Sequence, residues 1–455
     1  MGRLFGTNGV RGVVNSTITP EMAAQVGRAV AKVCGGTLAV GMDTRVSSRM
    51  LLDAVSFGIQ SSGSDVRFLG VLPTPALQYY VKNHEDVKGG IMITASHNPP
   101  EYNGMKCISS DGTEMSLLEE ESVEEQYGRE LPDAPFPEMG RFIEVEGAID
   151  DYLDGILGNV DVESIRSAGL KVCLDCANGA ACYTTPLLLE RLGVKAVTLN
   201  CDPQGRFPGR DSEPTEENLS DLMRMTRDVG ADLGIAHDGD GDRCIFVTGE
   251  GMYVSGDRCI AILARSILAK KPGRIVVPVN TSSLVEGVVV DSGGSVRYTQ
   301  VGAPIVARKM QEYDAVFGGE ENGGMIFPEF QYCRDGAMAC ARMLECVVRG
   351  GPLSDMIAAL PKYYTSKVSV DCPDNMKSPL LEHFRSRAGD TWREDIDGLK
   401  LFFEDGGWVL LRPSGSEQVF RIFTESKDEA TCEARSQEYV EEARRYLEGT
   451  PRISS

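Results

Sequence analysis

The chain predicts an α/β protein. Three similar α/β domains with mixed, largely parallel sheets are followed by a smaller α+β C-terminal domain, all set around a central cleft. Three observations carry this expectation. Apolar strand runs alternate with helical patterns along most of the 455 residues, the pattern of βαβ units. At roughly 100–200 residues per domain, that length makes about three or four domains. Finally, each unit has one strand that runs into a polar, glycine-rich loop, and open α/β sheets bind ligands beyond the carboxyl ends of their strands.

In the first domain (1–150), "TLAVGMDTR" reads as a strand, 47–62 as a helix, "DVRFLGV" as a strand, 75–83 as a helix and "GGIMIT" as a strand. Acidic, proline-rich "GRELPDAPFPEMG" (128–140) then leaves the rhythm as a surface excursion. The second domain (151–250) repeats the scheme with "KVCLDC", a helix over 185–192, "KAVTLN", a helix over 218–228 and "ADLGIA". The third (251–361) has "RIVVPV", a helix from Ser283, "SVRYTQ", a helix from Pro304 and "DAVFGG". The fourth (362–455) differs: "KVSVDC", a helix near 378–387, "LKLFFED", "GWVLLRP", "VFRIFTES" and a long final helix from about Lys427 read as antiparallel strands with two helices.

Composition narrows the function classes. Hydrophobic residues make up 42% and charged residues 25%, ordinary for a soluble globular protein. With 46 Lys and Arg against 67 Asp and Glu, the net charge is −21. Such a surface suits neither nucleic acid nor an anionic membrane. The 13 cysteines are odd in number and lack framework spacing, which points to reduced thiols and a cytoplasmic protein. Cys173 and Cys176 spell C-x-x-C on a strand, where side chains three apart face opposite ways, so they read as two buried thiols rather than a shared metal site. "MGRLFGTNGVRG" has no apolar signal-peptide core, and no run of 18 apolar residues occurs. The oligomeric state, monomer or homodimer, stays open.

Chemistry concentrates in the four loops. "HDGDGDR" sets Asp238, Asp240 and Asp242 within five residues, with glycines that permit tight curvature. Carboxylates in this density suit a hard cation such as magnesium. A calcium EF-hand is excluded, because its sixth and twelfth positions hold Arg243 and Gly249. Arg243 beside the carboxylates can clamp a phosphate. In "RPSGSEQVFR", Arg412, Ser414, Ser416 and Arg421 supply guanidinium and hydroxyl donors around Gly415, a phosphate grip built without a P-loop. "GGEENGG" offers Glu320 and Asn322, groups suited to vicinal sugar hydroxyls. "TASHNPPEYNGMK" presents Ser96 as a phosphoryl carrier, with His97 and Lys106 for proton transfer. A hydrolase serine is disfavoured, since the G-x-S-x-G elbow is absent.

Together "FGTNGVRG", "TASHNPPEYNGMK", "DGDGDR", "GGEENGG" and "RPSGSEQ" resemble, in order and spacing, the α-D-phosphohexomutase family over essentially the whole chain. The resemblance implies four domains around one cleft, one Mg2+ per chain, sugar-phosphate substrates and a hexose 1,6-bisphosphate intermediate. It implies that Ser96 is the phosphoserine and a metal ligand beside Asp238, Asp240 and Asp242, and that Lys106 is a general acid/base. Arg11, Thr7 and Asn8 fall in the N-terminal motif near the phosphoserine. Glu320 and Asn322 match sugar-hydroxyl binders, and Arg412, Ser414, Gly415, Ser416 and Arg421 match the distal phosphate site. Three departures stand out. Gly324 replaces a histidine of many members, as in archaeal ones; Gly241 stands where alanine is common; and "SGSEQ" replaces "SGTEP". The expected activity is interconversion of glucosamine 6-phosphate and glucosamine 1-phosphate. Broad phosphomannomutase/phosphoglucomutase activity is the alternative, and a Mg-dependent sugar phosphatase the remote one.

Overall fold

The computed structural model describes residues 4–6, 9–389, 391–415 and 417–449. Four sheets follow one another along the chain. The first contains β1 (Val10–Val13), β2 (Thr37–Met42), β3 (Val66–Val71), β4 (Val87–Ile93), β5 (Tyr102–Ser109) and β6 (Phe142–Glu144), in the order β1-β5-β4-β2-β3-β6. Strands β4, β2, β3 and β6 run parallel, while β5 and β1 are antiparallel additions. The second contains β7 (Lys171–Asp175), β8 (Lys195–Leu199), β9 (Leu233–His237), β10 (Cys244–Thr248) and β11 (Tyr253–Val254), ordered β11-β10-β9-β7-β8. The third contains β12 (Arg274–Pro278), β13 (Ser295–Thr299), β14 (Phe317–Gly319), β15 (Met325–Phe327) and β16 (Gln331–Arg334), ordered β13-β12-β14-β15-β16. The fourth contains β17 (Tyr364–Asp371), β18 (Arg393–Glu394), β19 (Leu399–Phe402), β20 (Trp408–Pro413) and β21 (Val419–Ser426). It is antiparallel throughout, ordered β17-β21-β20-β19-β18.

One rule recurs in all four sheets. Each loop singled out in the sequence joins two antiparallel neighbours: β4 to β5, β9 to β10, β14 to β15 and β20 to β21. A parallel return needs a crossover of a dozen residues or more, whereas a short connection forces a hairpin. In the first three sheets a strand with a parallel neighbour therefore leads into the loop and an antiparallel partner leads away; in the fourth both strands belong to an antiparallel sheet. Strand β5 was not foreseen. It reads "YNGMKCIS", is buried on both faces and so lacks an alternating pattern.

The large core runs through the second and third sheets and the helix Gly336–Gly350, with separate clusters in the first and fourth sheets. Cys173 and Cys176 are fully buried in two different clusters, on opposite sides of β7. No described helix is long and apolar enough to cross a membrane.

Candidate active site

Ser96 follows β4 in an uncommon conformation for a non-glycine residue, φ 53°. Such backbone persists only where its surroundings over-determine it, and here they do. Its N–H donates to Thr94 Oγ1 at 2.8 Å, and Thr94 Oγ1 donates in turn to Asp43 Oδ2 at 2.7 Å. Arg45 is buried against Asp43 at 3.0 Å through Nε. Its four remaining N–H groups reach the carbonyls of Ser96 (2.9 Å), Asn98 (2.6 Å), Pro99 (2.6 Å) and Tyr102 (3.0 Å). All five guanidinium donors are thus used to shape one loop. From β1, Arg11 reaches the same loop at Asn98 Oδ1, 3.4 Å away.

The metal loop meets this serine directly. Ser96 Oγ donates to Asp238 Oδ2 at 3.0 Å. The two loops touch backbone to backbone, since a Cβ on Gly239 would lie 2.5 Å from the Ser96 carbonyl oxygen. Oxygens of Asp238, Asp240 and Asp242 lie within 4.8 Å of one another and all three residues are buried. Lys106 projects from β5 into the trio, with Nζ 2.7 Å from Asp240 Oδ2 and 2.7 Å from Asp242 Oδ2. Burial opposes its charge, but Asp240, Asp242 and Glu114 outweigh that and raise its pKa. Burial likewise opposes ionisation of Asp240, yet Lys106 and the Thr74 hydroxyl hold its carboxyl well below the usual range. Asp238 has only Arg243 Nε, 3.6 Å from its Oδ2; burial, Asp242 and Asp240 outweigh it and push Asp238 up to about 8. Asp240 Oδ1 and Asp242 Oδ1 are buried without a hydrogen-bond partner. Hard carboxylate oxygens, two of them unpaired, beside a carboxyl driven toward protonation, are a donor set that a divalent cation would complete.

His237, which ends β9, closes this loop. Its Nδ1 donates to the Arg243 carbonyl at 2.9 Å, and its Nε2 accepts from Thr185 Oγ1 at 3.0 Å. Arg243 contacts Glu213 Oε1 at 3.2 Å and donates to His97 Nδ1 at 2.8 Å. The Arg243 charge, with burial, keeps His97 neutral. His97 Nδ1 also lies 3.4 Å from Ser96 Oγ.

The Glu320–Gly324 loop adjoins the Asp238–Arg243 loop through a β-bridge between Arg243 and Gly324. Glu320 is buried and accepts from Arg334 Nη1 at 3.1 Å. Asn322 Oδ1 accepts from the Gly324 N–H at 3.1 Å. Arg334, at the end of β16, also donates to Asp242 Oδ2 at 2.6 Å, so it joins the two loops. In the fourth sheet, Lys377 Nζ donates to the carbonyls of Ser414 and Glu417, each at 2.6 Å. Arg412 Nε lies 2.7 Å from Asp397 Oδ2, which also accepts from the Val301 N–H of the third domain at 3.0 Å. Arg421 pairs with Glu417, Ser414 Oγ accepts from the Glu417 N–H at 3.2 Å, and Gly415 is exposed. A cleft of about 980 Å³ is bordered by Glu213, Glu321, Asn322 and Lys367, so it spans the second, third and fourth domains. Thr7, Asn8 and Ser416 lie outside the described residues.

Arg45, Arg334, His237 and Lys377 were not singled out from the sequence. Arg45 and Lys377 have a local carboxylate, Asp43 and Asp374, but the contacts by which all four shape the site go to remote side chains or to backbone carbonyls, which no local spacing marks.

Four family models match the chain. They are Phosphoglucomutase/phosphomannomutase, alpha/beta/alpha domain I over residues 2–133, domain II over 150–251, domain III over 255–364 and the C-terminal domain over 368–442. The chain is 41% identical over 453 residues to a protein of Methanopyrus kandleri named "Probable phosphoglucosamine mutase", covering 98% of this chain and 99% of that one. It is 41% identical over 463 residues to a "Phosphoglucomutase/phosphomannomutase" of Thermococcus kodakarensis, covering 98% and 97%. The crystal structure of a phosphoglucomutase/phosphomannomutase family protein from Burkholderia thailandensis matches with a TM-score of 0.88 at 27% identity, over 98% of each chain.

Proposed function

The chain belongs to the phosphoglucomutase/phosphomannomutase family, and we propose that it is a phosphohexomutase converting glucosamine 6-phosphate to glucosamine 1-phosphate through phospho-Ser96. The observation that carries this reading is the buried Ser96 hydroxyl, 3.0 Å from Asp238 in a trio of carboxylates with two unpaired oxygens. Ser96, Asp238, Asp240 and Asp242 would hold Mg2+, which supplies charge neutralisation to a transferring phosphoryl group.

The remaining work falls to side chains of the cleft. Arg45 and Asp43 hold the serine loop in its strained form. Lys106, buried and charged, balances the carboxylates and stands in its acid form. Arg243 turns toward a phosphoryl group on Ser96, and in turning it frees His97 Nδ1 to accept a hydroxyl proton. Arg412, Arg421, Ser414, Gly415 and Ser416 hold the phosphate that is not reacting. Glu320 and Asn322 receive the sugar hydroxyls in both orientations, so the 1,6-bisphosphate can turn over and return its other phosphate to Ser96. We take the domains as 1–150, 151–250, 251–361 and 362–455, each contributing one loop.

A broad phosphomannomutase/phosphoglucomutase is the second reading, favoured by the equal identity to the Thermococcus protein. Initial rates on glucosamine, glucose and mannose 6-phosphates, each primed with its 1,6-bisphosphate, decide between them. A glucosamine kcat/KM at least about tenfold above the others, about 1.4 kcal/mol of discrimination, is the expected result. Comparable glucose and mannose rates with poor glucosamine turnover would establish the second reading. Free phosphate outrunning isomerised sugar would overturn both.

A further inference from the structure

Gly324 is where many family members carry histidine, and its backbone does not explain the glycine. Its φ lies outside the left-handed region, so any residue can adopt it. The obstruction is a side chain. A Cβ at 324 would lie 2.2 Å from Cδ and 3.0 Å from Cγ of Arg334, with Asn322 Oδ1, the end of a rotatable amide, next at 3.2 Å. Arg334 pairs with Ile326 across β15 and β16, and Gly324 sits two residues before Ile326, so both positions belong to one face of the hairpin. The obstructing atoms are the middle of the stem rather than a free end. Beyond them the guanidinium is anchored at 2.6 Å to Asp242 Oδ2 and at 3.1 Å to Glu320 Oε2, in a side chain only 5% exposed. The stem cannot swing aside without leaving two buried carboxylates.

We propose that Arg334 fills the volume a side chain at 324 would need, and that it is a positioning residue fixing the Asp238–Asp242 loop against the Glu320 loop through Asp242 and Glu320. A guanidinium has no acceptor and does not give up its proton, so Arg334 serves as a tether rather than a proton carrier. Proton transfer stays with His97 and Lys106. The shared volume is a matter of packing alone, while the positioning role of Arg334 rests on the phosphohexomutase reading.

The test is a mutant cycle on stability, with Arg334 variants read by kinetics. Gly-to-Ala at an unstrained φ ordinarily raises stability. Gly324→Ala should instead lower Tm in the wild-type and Arg334→Met backgrounds, which keep the stem, and should raise it or leave it unchanged in Arg334→Ala. A rise in Tm for Gly324→Ala alone would overturn the shared volume, and this arm does not depend on Arg334→Ala folding. Arg334→Met should lower kcat/KM about 100-fold, the scale of a misplaced group. The loss should fall mainly on kcat, and Arg334→Lys, which keeps a cation between Asp242 and Glu320, should recover part of it. Full kcat/KM in Arg334→Met, or no recovery in Arg334→Lys, would overturn the positioning role. If wild-type protein isomerises no sugar phosphate, the functional reading fails while the Tm cycle still decides the packing.

Discussion

The loop of Ser96 and the loop of Ser414 are both hairpin connections held by one buried cation, yet their charges are arranged for different ends. Arg45 turns all five donors inward, to Asp43 and four carbonyls, and none of those partners is exchangeable. Lys377 likewise holds two carbonyls of the fourth-domain loop. The guanidiniums that would meet a ligand there, Arg412 and Arg421, rest instead on the carboxylates of Asp397 and Glu417. One loop keeps a single shape for chemistry. The other can trade an internal anion for an external one, which a site holding either end of a sugar bisphosphate requires.

The largest expected effect is on the rigid side. Ser96→Ala should bring isomerisation below detection while Tm stays within a degree or two of wild type; measurable turnover in a coupled assay would remove Ser96 from the proposed mechanism. Arg45→Met retains volume but orphans Asp43 and the loop carbonyls. Breaking a buried pair costs about 3–5 kcal/mol, so urea unfolding should show a loss of that order, with kcat falling further than KM rises. On the exchangeable side, Arg421→Gln should raise KM about tenfold, equivalent to about 1.4 kcal/mol, with kcat little changed. Glu417→Gln should act in the opposite sense and lower KM about two- to fivefold, the scale of an exposed ion pair. If Glu417→Gln raised KM, the contrast between the two loops would fail.

The smallest effect tests the seat of the fourth domain on the third. Lys400 is buried, donates to the Val279 carbonyl at 2.8 Å and lies 4.0 Å from the Trp408 ring centroid. Burial, only partly offset by Glu425, pushes it down to about 8 from an unfolded value of 10.5. Between those values the unfolded chain binds the proton and the native one does not, so stability rises with pH. Below about 8 both are charged and the burial cost is fully present. Denaturation midpoints at pH 8, 9 and 10 should climb more steeply in wild type than in Lys400→Met; parallel slopes would show that Lys400 is solvated at the interface.

Much of this site was legible in the sequence because its functional groups are local. The spacing of Asp238, Asp240 and Asp242 marked them as one cluster, and the structure brings their oxygens within 4.8 Å of one another; "RPSGSEQ" stood out by residue type alone. The parallel strands were legible because buried βαβ strands read as apolar runs. Strand β5 was hidden because Lys106 and Asn103 are buried in it; ion pairs and hydrogen bonds replace the apolar residues that pattern reading counts. Arg45 and Arg334 were hidden for another reason. Beyond Asp43 and Glu320, the contacts by which they shape the site lie 51 and 92 residues away, and a single arginine carries no mark of that. Gly324 was visible as a departure, but the side chain that explains it became visible only across the hairpin.

The place of Arg45 has a consequence for anyone who would move this chemistry to another scaffold. The serine loop is not a portable module. Its four templated carbonyls take their shape from a side chain at the end of β2, and its neighbour Gly239 must admit the Ser96 carbonyl within 2.5 Å of where a Cβ would be. A graft of residues 94–101 alone would carry Ser96 and leave its mould behind. The smallest transferable unit is the loop with Asp43, Arg45 and the glycine-flanked turn of the second domain.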